Sequence, residues 1–222
     1  MESHIVKILS VKQITHNVRQ FTIEKPQGYS FVPGQATEVA VNKPGWENER
    51  RPFTFTSLNE WDHLEFTIKI YDDRNSVTHL LGQLQPGDSL IIHDVWGAIH
   101  YKGEGVFIAG GAGVTPFIAI FRALEQQGRL GSNKLIFSNK TAADIILKDE
   151  FTQMLGDRFI NTLTKENVPG YDHHKIDEAY LKEKVSDFNQ HFYICGPDPM
   201  VMQLKETLQR LSGNADLVTV EI

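Results

Sequence analysis

The sequence predicts two domains: an antiparallel β-barrel over residues 1–101, then an α/β domain with a parallel sheet over residues 102–222. Three observations predict it. In the first hundred residues, short alternating apolar runs recur between Gly/Pro turns, which is the pattern of a sandwich or barrel. Beyond them, apolar strand-like runs alternate with helical spacing, which implies βαβ units. The change falls at Tyr101-Lys102-Gly103-Glu104-Gly105, and 222 residues suit two domains of roughly 100 residues each.

In the first half, strands are expected at residues 4–11, 18–24, 36–41, 64–71 and 89–93. Lys25-Pro26-Gln27-Gly28, Val32-Pro33-Gly34-Gln35, Lys43-Pro44-Gly45 and Gln85-Pro86-Gly87-Asp88 supply the turns between them. One helix is expected at residues 77–84, ahead of Pro86. In the second half, strands are expected at 105–109, 134–138, 159–163, 192–195 and 217–222. Helices are expected at 117–127, 148–155, 178–188 and 200–211; Phe117, Ile120, Phe121 and Leu124 set the spacing of the first.

Composition excludes several classes. A formal net charge of −6 argues against nucleic-acid binding, which needs a basic surface. The one cysteine, Cys195, allows no disulfide and no four-thiolate cluster within the chain. The nine histidines show no metal-ligand spacing, so no metal site is expected. With no signal-like N-terminus and no run of ~20 apolar residues, a cytoplasmic protein without a membrane span is expected, and a monomer.

Two segments carry chemistry. Gly110-Gly111-Ala112-Gly113-Val114-Thr115-Pro116 follows a strand and opens a helix. Glycines there let a phosphate approach the backbone, and the helix N-terminus offers free N–H groups. Tyr193-Ile194-Cys195-Gly196-Pro197-Asp198-Pro199-Met200 is a second strand end of this kind, and two such ends would border one crevice. In the barrel half, Arg51-Pro52-Phe53-Thr54-Phe55-Thr56-Ser57 combines an arginine suited to phosphate, an aromatic suited to stacking on a flat heterocycle, and a hydroxyl suited to a ring nitrogen. Taken singly, the loop reads equally as a tight turn without a ligand, and the second segment as an edge strand with a solvated arginine.

Together these residues resemble the ferredoxin–NADP reductase superfamily over nearly the whole chain. Arg51-Pro52-Phe53-Thr54 is similar to the family's flavin motif, Arg-x-Tyr-Ser/Thr. Asn75-Ser76-Val77-Thr78 resembles its pyrophosphate motif, with Asn75 in the glycine place, and asparagine tolerates positive φ. Gly87-Asp88 and Trp96-Gly97 stand at the family's turns, Gly110 to Pro116 matches its pyridine-nucleotide loop at every position, and Cys195-Gly196-Pro197, with Met200 following, matches its strand end. The closing Thr219-Val220-Glu221-Ile222 keeps the glutamate of the family's plant-type members, and the terminal aromatic that stacks on the flavin in them is missing.

The resemblance implies FAD, rather than FMN, in the barrel domain, and NADPH or NADH as hydride donor. It implies Phe53 against the flavin ring, Thr54 at N5, and Arg51, Pro52, Asn75, Ser76, Val77 and Thr78 around the flavin nucleotide. Gly110, Gly111, Gly113, Val114, Thr115 and Pro116 would hold the pyridine nucleotide, with Ser138, Asn139 and Lys140 farther along it. Cys195, Gly196, Pro197 and Met200 would border the nicotinamide, and Glu221 would position it. Thr54, Cys195 and Glu221 are the catalytic candidates. Lys140 and Lys175, with His173 and His174 nearby, would meet a 2′-phosphate, favouring NADPH. The acceptor implied is ferredoxin or flavodoxin, for which Lys43, Arg50, Arg51 and Lys69 would supply basic charge; reduction of free flavin and a non-catalytic flavin-binding regulatory subunit are the alternatives.

Overall fold

A computed structural model describes residues 3–71 and 76–221. The first half forms six antiparallel strands: β1 (His4–Thr15), β2 (Val18–Glu24), β3 (Ala36–Val41), β4 (Arg51–Thr54), β5 (His63–Lys69) and β6 (Ser89–Trp96). Their spatial order is β4-β3-β6-β1-β2-β5. An antiparallel bridge from Phe55, just past β4, to Phe66 on β5 joins the two outer strands and closes the sheet into a barrel, which leaves no long edge exposed. Side chains on a strand alternate between faces. On β5, Leu64, Phe66 and Ile68 therefore fill the barrel with Phe21, Phe31 and Phe55, while Glu65, Thr67 and Lys69 share the opposite face. Helix α1 (Val77–Leu81) lies between β5 and β6. It stops three residues before the expected end, where the Gly82 N–H closes the last turn onto the Leu80 and Thr78 carbonyls.

The second half forms a five-stranded parallel sheet from β7 (Gly105–Gly110), β8 (Lys134–Asn139), β9 (Phe159–Leu163), β10 (His191–Cys195) and β11 (Val218–Glu221). The order is β11-β10-β7-β8-β9. Helices α2 (Thr115–Gln126) and α3 (Lys148–Leu155) cover one face, with Phe117, Phe121 and Phe151 packed against Phe107 and Leu135. Helices α4 (Glu178–Lys184) and α5 (Asp198–Ser212) cover the other through Tyr180, Leu181, Val201, Leu204 and Leu208. The expected helix over 178–188 ends at Lys184, because Val185 turns extended (φ −124°, ψ 116°) and is buried. The last helix begins two residues earlier than expected; prolines 197 and 199 suit its cap and first turn.

The central strand β7 has β8 on one side and β10 on the other, so the winding direction reverses between β7 and β10. Ligands of open α/β sheets bind at the carboxyl ends of strands at such a reversal. The glycine loop leaves β7 there, and Cys195-Gly196-Pro197 leaves β10. Among the described residues, no helix is long and apolar enough to cross a membrane.

Candidate active site

A cleft of about 600 Å³ opens where the barrel meets this reversal. Its barrel wall is Ala36, Pro52, Thr54, Lys69, Tyr71 and Trp96; its sheet wall is Gly110, Gly111, Ala112, Gly113, Ser138, Asn139, Lys140, Asp144, Cys195, Gly196, Pro197, Met200 and Glu221. A smaller cavity of about 220 Å³ adjoins it, shares Pro52, Thr54, Lys69, Tyr71 and Ala112, and adds Phe53, Thr67, Ile68, Thr78 and Thr115.

The sheet wall is built by backbone. The loop after β7 makes one tight 3-10 turn over Gly111–Val114 before α2. Gly111 sits at φ +53°, a conformation that suits glycine. Gly113 lies against the other loop: a Cβ there would fall 2.3 Å from the Cys195 carbonyl oxygen. Only a residue without a side chain lets the two strand ends touch, which makes the floor of the cleft continuous. Val114 and Pro116 are buried in the core beneath it, so they shape the loop and present no side chain to the cleft. The Thr115 hydroxyl donates to the Ala112 carbonyl at 3.0 Å.

Cys195 and Glu221 are register partners on β10 and β11. Burial, and then the Glu221 charge, push the Cys195 thiol up to about 12, so it is a neutral thiol at physiological pH. Burial also raises the Glu221 carboxyl, against the pull of the Ile99 and Ala98 backbone; the Ile99 N–H donates to its Oε2 at 3.3 Å. Two residues of the segment between β6 and β7 are thereby held to the last strand.

Asn139 is buried, lines the cleft, and has neither amide atom hydrogen-bonded among the described residues. Unpaired buried amides cost about 1–3 kcal/mol each, so this one is poised for a polar ligand in the cleft. Asp144, beside it, is already satisfied: it accepts from the Thr141 N–H at 2.9 Å and hydroxyl at 2.8 Å, and lies 3.7 Å from His16.

Most of the expected residues converge here. Pro52, Thr54, Gly110, Gly111, Gly113, Ser138, Asn139, Lys140, Cys195, Gly196, Pro197, Met200 and Glu221 line the main cleft; Phe53, Thr78 and Thr115 line the adjoining cavity. Ser76 caps α1, accepting from the His79 N–H at 3.1 Å, and Val77 is in the barrel core. Arg51 does not reach the cleft: it is exposed at the barrel edge and donates to the Arg50 carbonyl at 2.6 Å. Asn75 lies outside the described residues. Lys175 is exposed and lines neither cavity; His173 is tied to the Leu163 carbonyl and His174 stacks on Tyr180. Instead Lys165 sits next to Lys140, through a 2.9 Å backbone hydrogen bond from its N–H to the Lys140 carbonyl. Two of the four residues of the expected basic patch are paired with carboxylates, Lys43 with Asp88 at 3.7 Å and Arg50 with Glu38 at 3.5 Å.

Sequence reasoning missed Tyr71, Asp144 and the Trp96 side chain. Tyr71 and Trp96 are large apolar groups left 51% and 44% exposed, and both face the cleft. Trp96 pairs with Ala36 and stands on the barrel wall of the cleft that also holds Glu221. Isolated aromatics at strand ends carry no periodic signal, so only the fold reveals them. No cluster of potential metal ligands is found among the described residues.

Residues 5–101 match the oxidoreductase FAD-binding domain family, and residues 107–206 match the oxidoreductase NAD-binding domain family. The chain is 30% identical over 222 residues to NADH-cytochrome b5 reductase 1 of Ajellomyces capsulatus, covering 89% of this chain and 71% of that protein. It is 26% identical over 211 residues to the reductase component of propane 2-monooxygenase from Mycolicibacterium goodii, covering 88% of this chain but only 60% of that protein. In fold it is similar to a ferredoxin NADP+ reductase from Neisseria gonorrhoeae solved with FAD and NADP (TM-score 0.86, 23% identity, 100% and 98% of the two chains). The cytochrome b5 reductase domain of Ulva prolifera nitrate reductase is also similar (TM-score 0.83, 22% identity, 100% and 97%).

Proposed function

We propose, from the premise that this chain belongs to the ferredoxin–NADP reductase-like family of FAD- and NAD(P)H-dependent flavoprotein reductases, that it relays electrons from a reduced pyridine nucleotide through FAD to a separate electron-carrier protein. One observation carries the reading. A single cleft brings Pro52 and Thr54 of the barrel against both glycine-bearing strand ends of the parallel sheet. A flavin held by the first wall and a nicotinamide held by the second would meet there.

The site suits the two nucleotides. The unpaired Asn139 amide and the close-packed glycine turn ahead of α2 fit a pyrophosphate-containing ligand. When bound, FAD supplies the hydride-accepting and electron-releasing chemistry. The chain's residues bind and orient. Thr54 offers a hydroxyl at the junction of the two cavities. Phe53, Thr67 and Thr78 enclose the smaller one, which we assign to the flavin, with residues 1–101 as its domain and 102–222 as the nucleotide domain. Tyr71 and Trp96, on the barrel wall of the cleft, would cover flat rings. Cys195, kept neutral, would border the nicotinamide without adding charge beside it. Glu221 accepts from the Ile99 N–H and ties β11 to the segment after β6.

Lys140, on the cleft wall next to Lys165, favours NADPH through its 2′-phosphate. Lys140→Ala should lower kcat/KM for NADPH about 2–5-fold more than for NADH, as expected for one exposed charge pair; equal losses would remove that preference. The acceptor we propose is a small acidic carrier such as ferredoxin or flavodoxin; the named relatives add a cytochrome b5 or an oxygenase component as outcomes of the same assay. A cytoplasmic location is proposed with it.

The test is direct. Purified protein should be yellow and should bleach anaerobically with NADPH or NADH. Adding ferredoxin, flavodoxin, cytochrome b5 or free flavin in turn should restore the colour fastest with the true acceptor. A yellow protein that neither nucleotide bleaches would refute the reading.

A further inference from the structure

At the domain interface, away from the cleft, the guanidinium of Arg122 on α2 is almost fully enclosed. Its side chain is 12% exposed and that of Glu65 on β5 is 9% exposed. One terminal nitrogen donates to the Thr56 carbonyl at 2.6 Å and to Glu65 Oε1 at 2.7 Å. The other edge forms a fork on Glu150 of α3, with Nε to Oε1 at 2.5 Å and the second terminal nitrogen to Oε2 at 3.0 Å. The plane lies over Trp61, 5.4 Å from the ring centre. Thr56 and Glu65 belong to the barrel domain, Arg122 and Glu150 to the nucleotide domain. This is a clasp across the interface, with four of the five guanidinium N–H groups used.

Both ends of the clasp lead into the site. Arg122 is seven residues along α2 from Thr115, about 10 Å at the helical rise, and α2 is the rigid continuation of the glycine loop. Glu65 shares a β5 face with Thr67 and Lys69, which line the cavities. A hydroxyl link runs the same way: Thr56 Oγ1 contacts Glu65 Oε1 at 2.8 Å and Thr67 Oγ1 at 3.2 Å. A buried ion triad adds little net stability compared with apolar side chains of equal volume. Its directional bonds do fix an orientation that apolar packing leaves free.

We propose that Arg122, through Glu65 and Glu150, is a positioning residue for hydride transfer: it sets how far the nucleotide-binding loop stands from the flavin wall. The inference rests on the reductase reading of the cleft. A relaxation of about 1 Å at the loop is enough to cost roughly 100-fold in transfer rate. The residues assigned to the nucleotide, Gly110–Pro116 and Cys195–Met200, all lie in the second domain, so affinity should change far less than rate.

The experiment uses the FAD-loaded protein and three variants: Arg122→Lys, Glu150→Gln, and the double variant Arg122→Met/Glu65→Gln, which leaves no buried charge unpaired. Anaerobic stopped-flow with NADH and NADPH gives the limiting reduction rate and the nucleotide dissociation constant separately, and hydrogen exchange is followed over residues 56–69 and 115–126 without nucleotide. In the double variant the limiting rate should fall about 10–100-fold, with the dissociation constant within about threefold, and exchange should rise in both segments. Arg122→Lys, which keeps charge but loses the fork, should fall between. Glu150→Gln disturbs only the more exposed end and should still slow the limiting rate several-fold if the double variant fails to fold. Wild-type limiting rates in any folded, FAD-loaded variant whose exchange has risen would overturn the proposal, as would unchanged exchange in the double variant. A wild-type protein that neither nucleotide reduces would instead overturn the reductase reading, and the exchange data would still decide the clasp.

Discussion

Replacing Gly113 with alanine tests the floor of the cleft at its tightest point. The added Cβ would lie 2.3 Å from the Cys195 carbonyl oxygen and 2.4 Å from its carbon, where such atoms essentially never come within 3.0 Å. The neighbours are backbone, so no flexible side chain can yield. The two strand ends must part by about 0.7 Å to reach the shortest tolerable contact and by about 1 Å to reach an ordinary one. Overpacking of this kind costs about 1–3 kcal/mol, which for a chain this size lowers Tm by roughly 2–10 °C. The same opening widens the cleft where nicotinamide would lie, and 1 Å of misplacement costs about 100-fold in rate. Gly113→Ala should therefore keep its yellow colour, melt measurably lower, and be reduced by NAD(P)H about 100-fold more slowly in anaerobic stopped-flow. Gly45→Ala is the control: Gly45 has φ +85° but open space around its would-be Cβ, so it should lose about 1 kcal/mol of stability and no reduction rate. A Gly113→Ala protein that melts and reduces like wild type would refute the close-packed floor.

Three further outcomes follow from the site. Thr54→Ala should slow reduction about 10–100-fold, the worth of one hydrogen bond made more strongly in the transition state, and Thr54→Ser should recover most of it; an unaffected Thr54→Ala rate removes the hydroxyl from the chemistry. Cys195, with its thiol pushed up from 9.0 to about 12, should react with iodoacetamide at pH 8 at least about 100-fold more slowly than the same chain in denaturant; comparable rates would contradict a neutral, enclosed thiol. Glu221 carries a raised carboxyl, so the folded state binds more protons than the unfolded one above the ordinary carboxylate range, and that contribution to stability is lost as pH rises through the raised value. Glu221→Gln should remove this dependence, so its Tm advantage over wild type should be absent near pH 4 and grow toward pH 8; parallel Tm curves would show that the carboxyl is not perturbed.

What was legible in the sequence is what depends on local backbone demands. The glycine loop could be read because a phosphate-width approach requires glycine, and the strand-to-helix order could be read because periods of two and of 3.6 residues differ. Helix ends were less legible, since Val185 leaves its helix for a tertiary reason, burial, that local spacing does not carry. Arg51 shows the reverse failure: residue type suggested a phosphate contact, yet its position on β4 leaves the side chain at the barrel edge. Tyr71, Trp96 and the clasp were invisible because their partners come from distant parts of the chain, Glu65 and Arg122 being 57 residues apart.

The barrel segment read as a flavin motif proves to hold more than one part of the molecule together. Thr54 lines the cleft, and Phe55, the next residue, bridges to Phe66 and closes the barrel. The Thr56 carbonyl receives Arg122 from the other domain, and the Ser57 hydroxyl accepts the Glu65 N–H at 3.0 Å. Four consecutive residues thus couple ligand wall, barrel closure and domain clasp. A shift of this stretch by one residue would turn Thr54 from the cleft toward the barrel interior and would remove the Thr56 carbonyl from Arg122 at the same time. Its spacing is therefore set by the interface as much as by the cofactor.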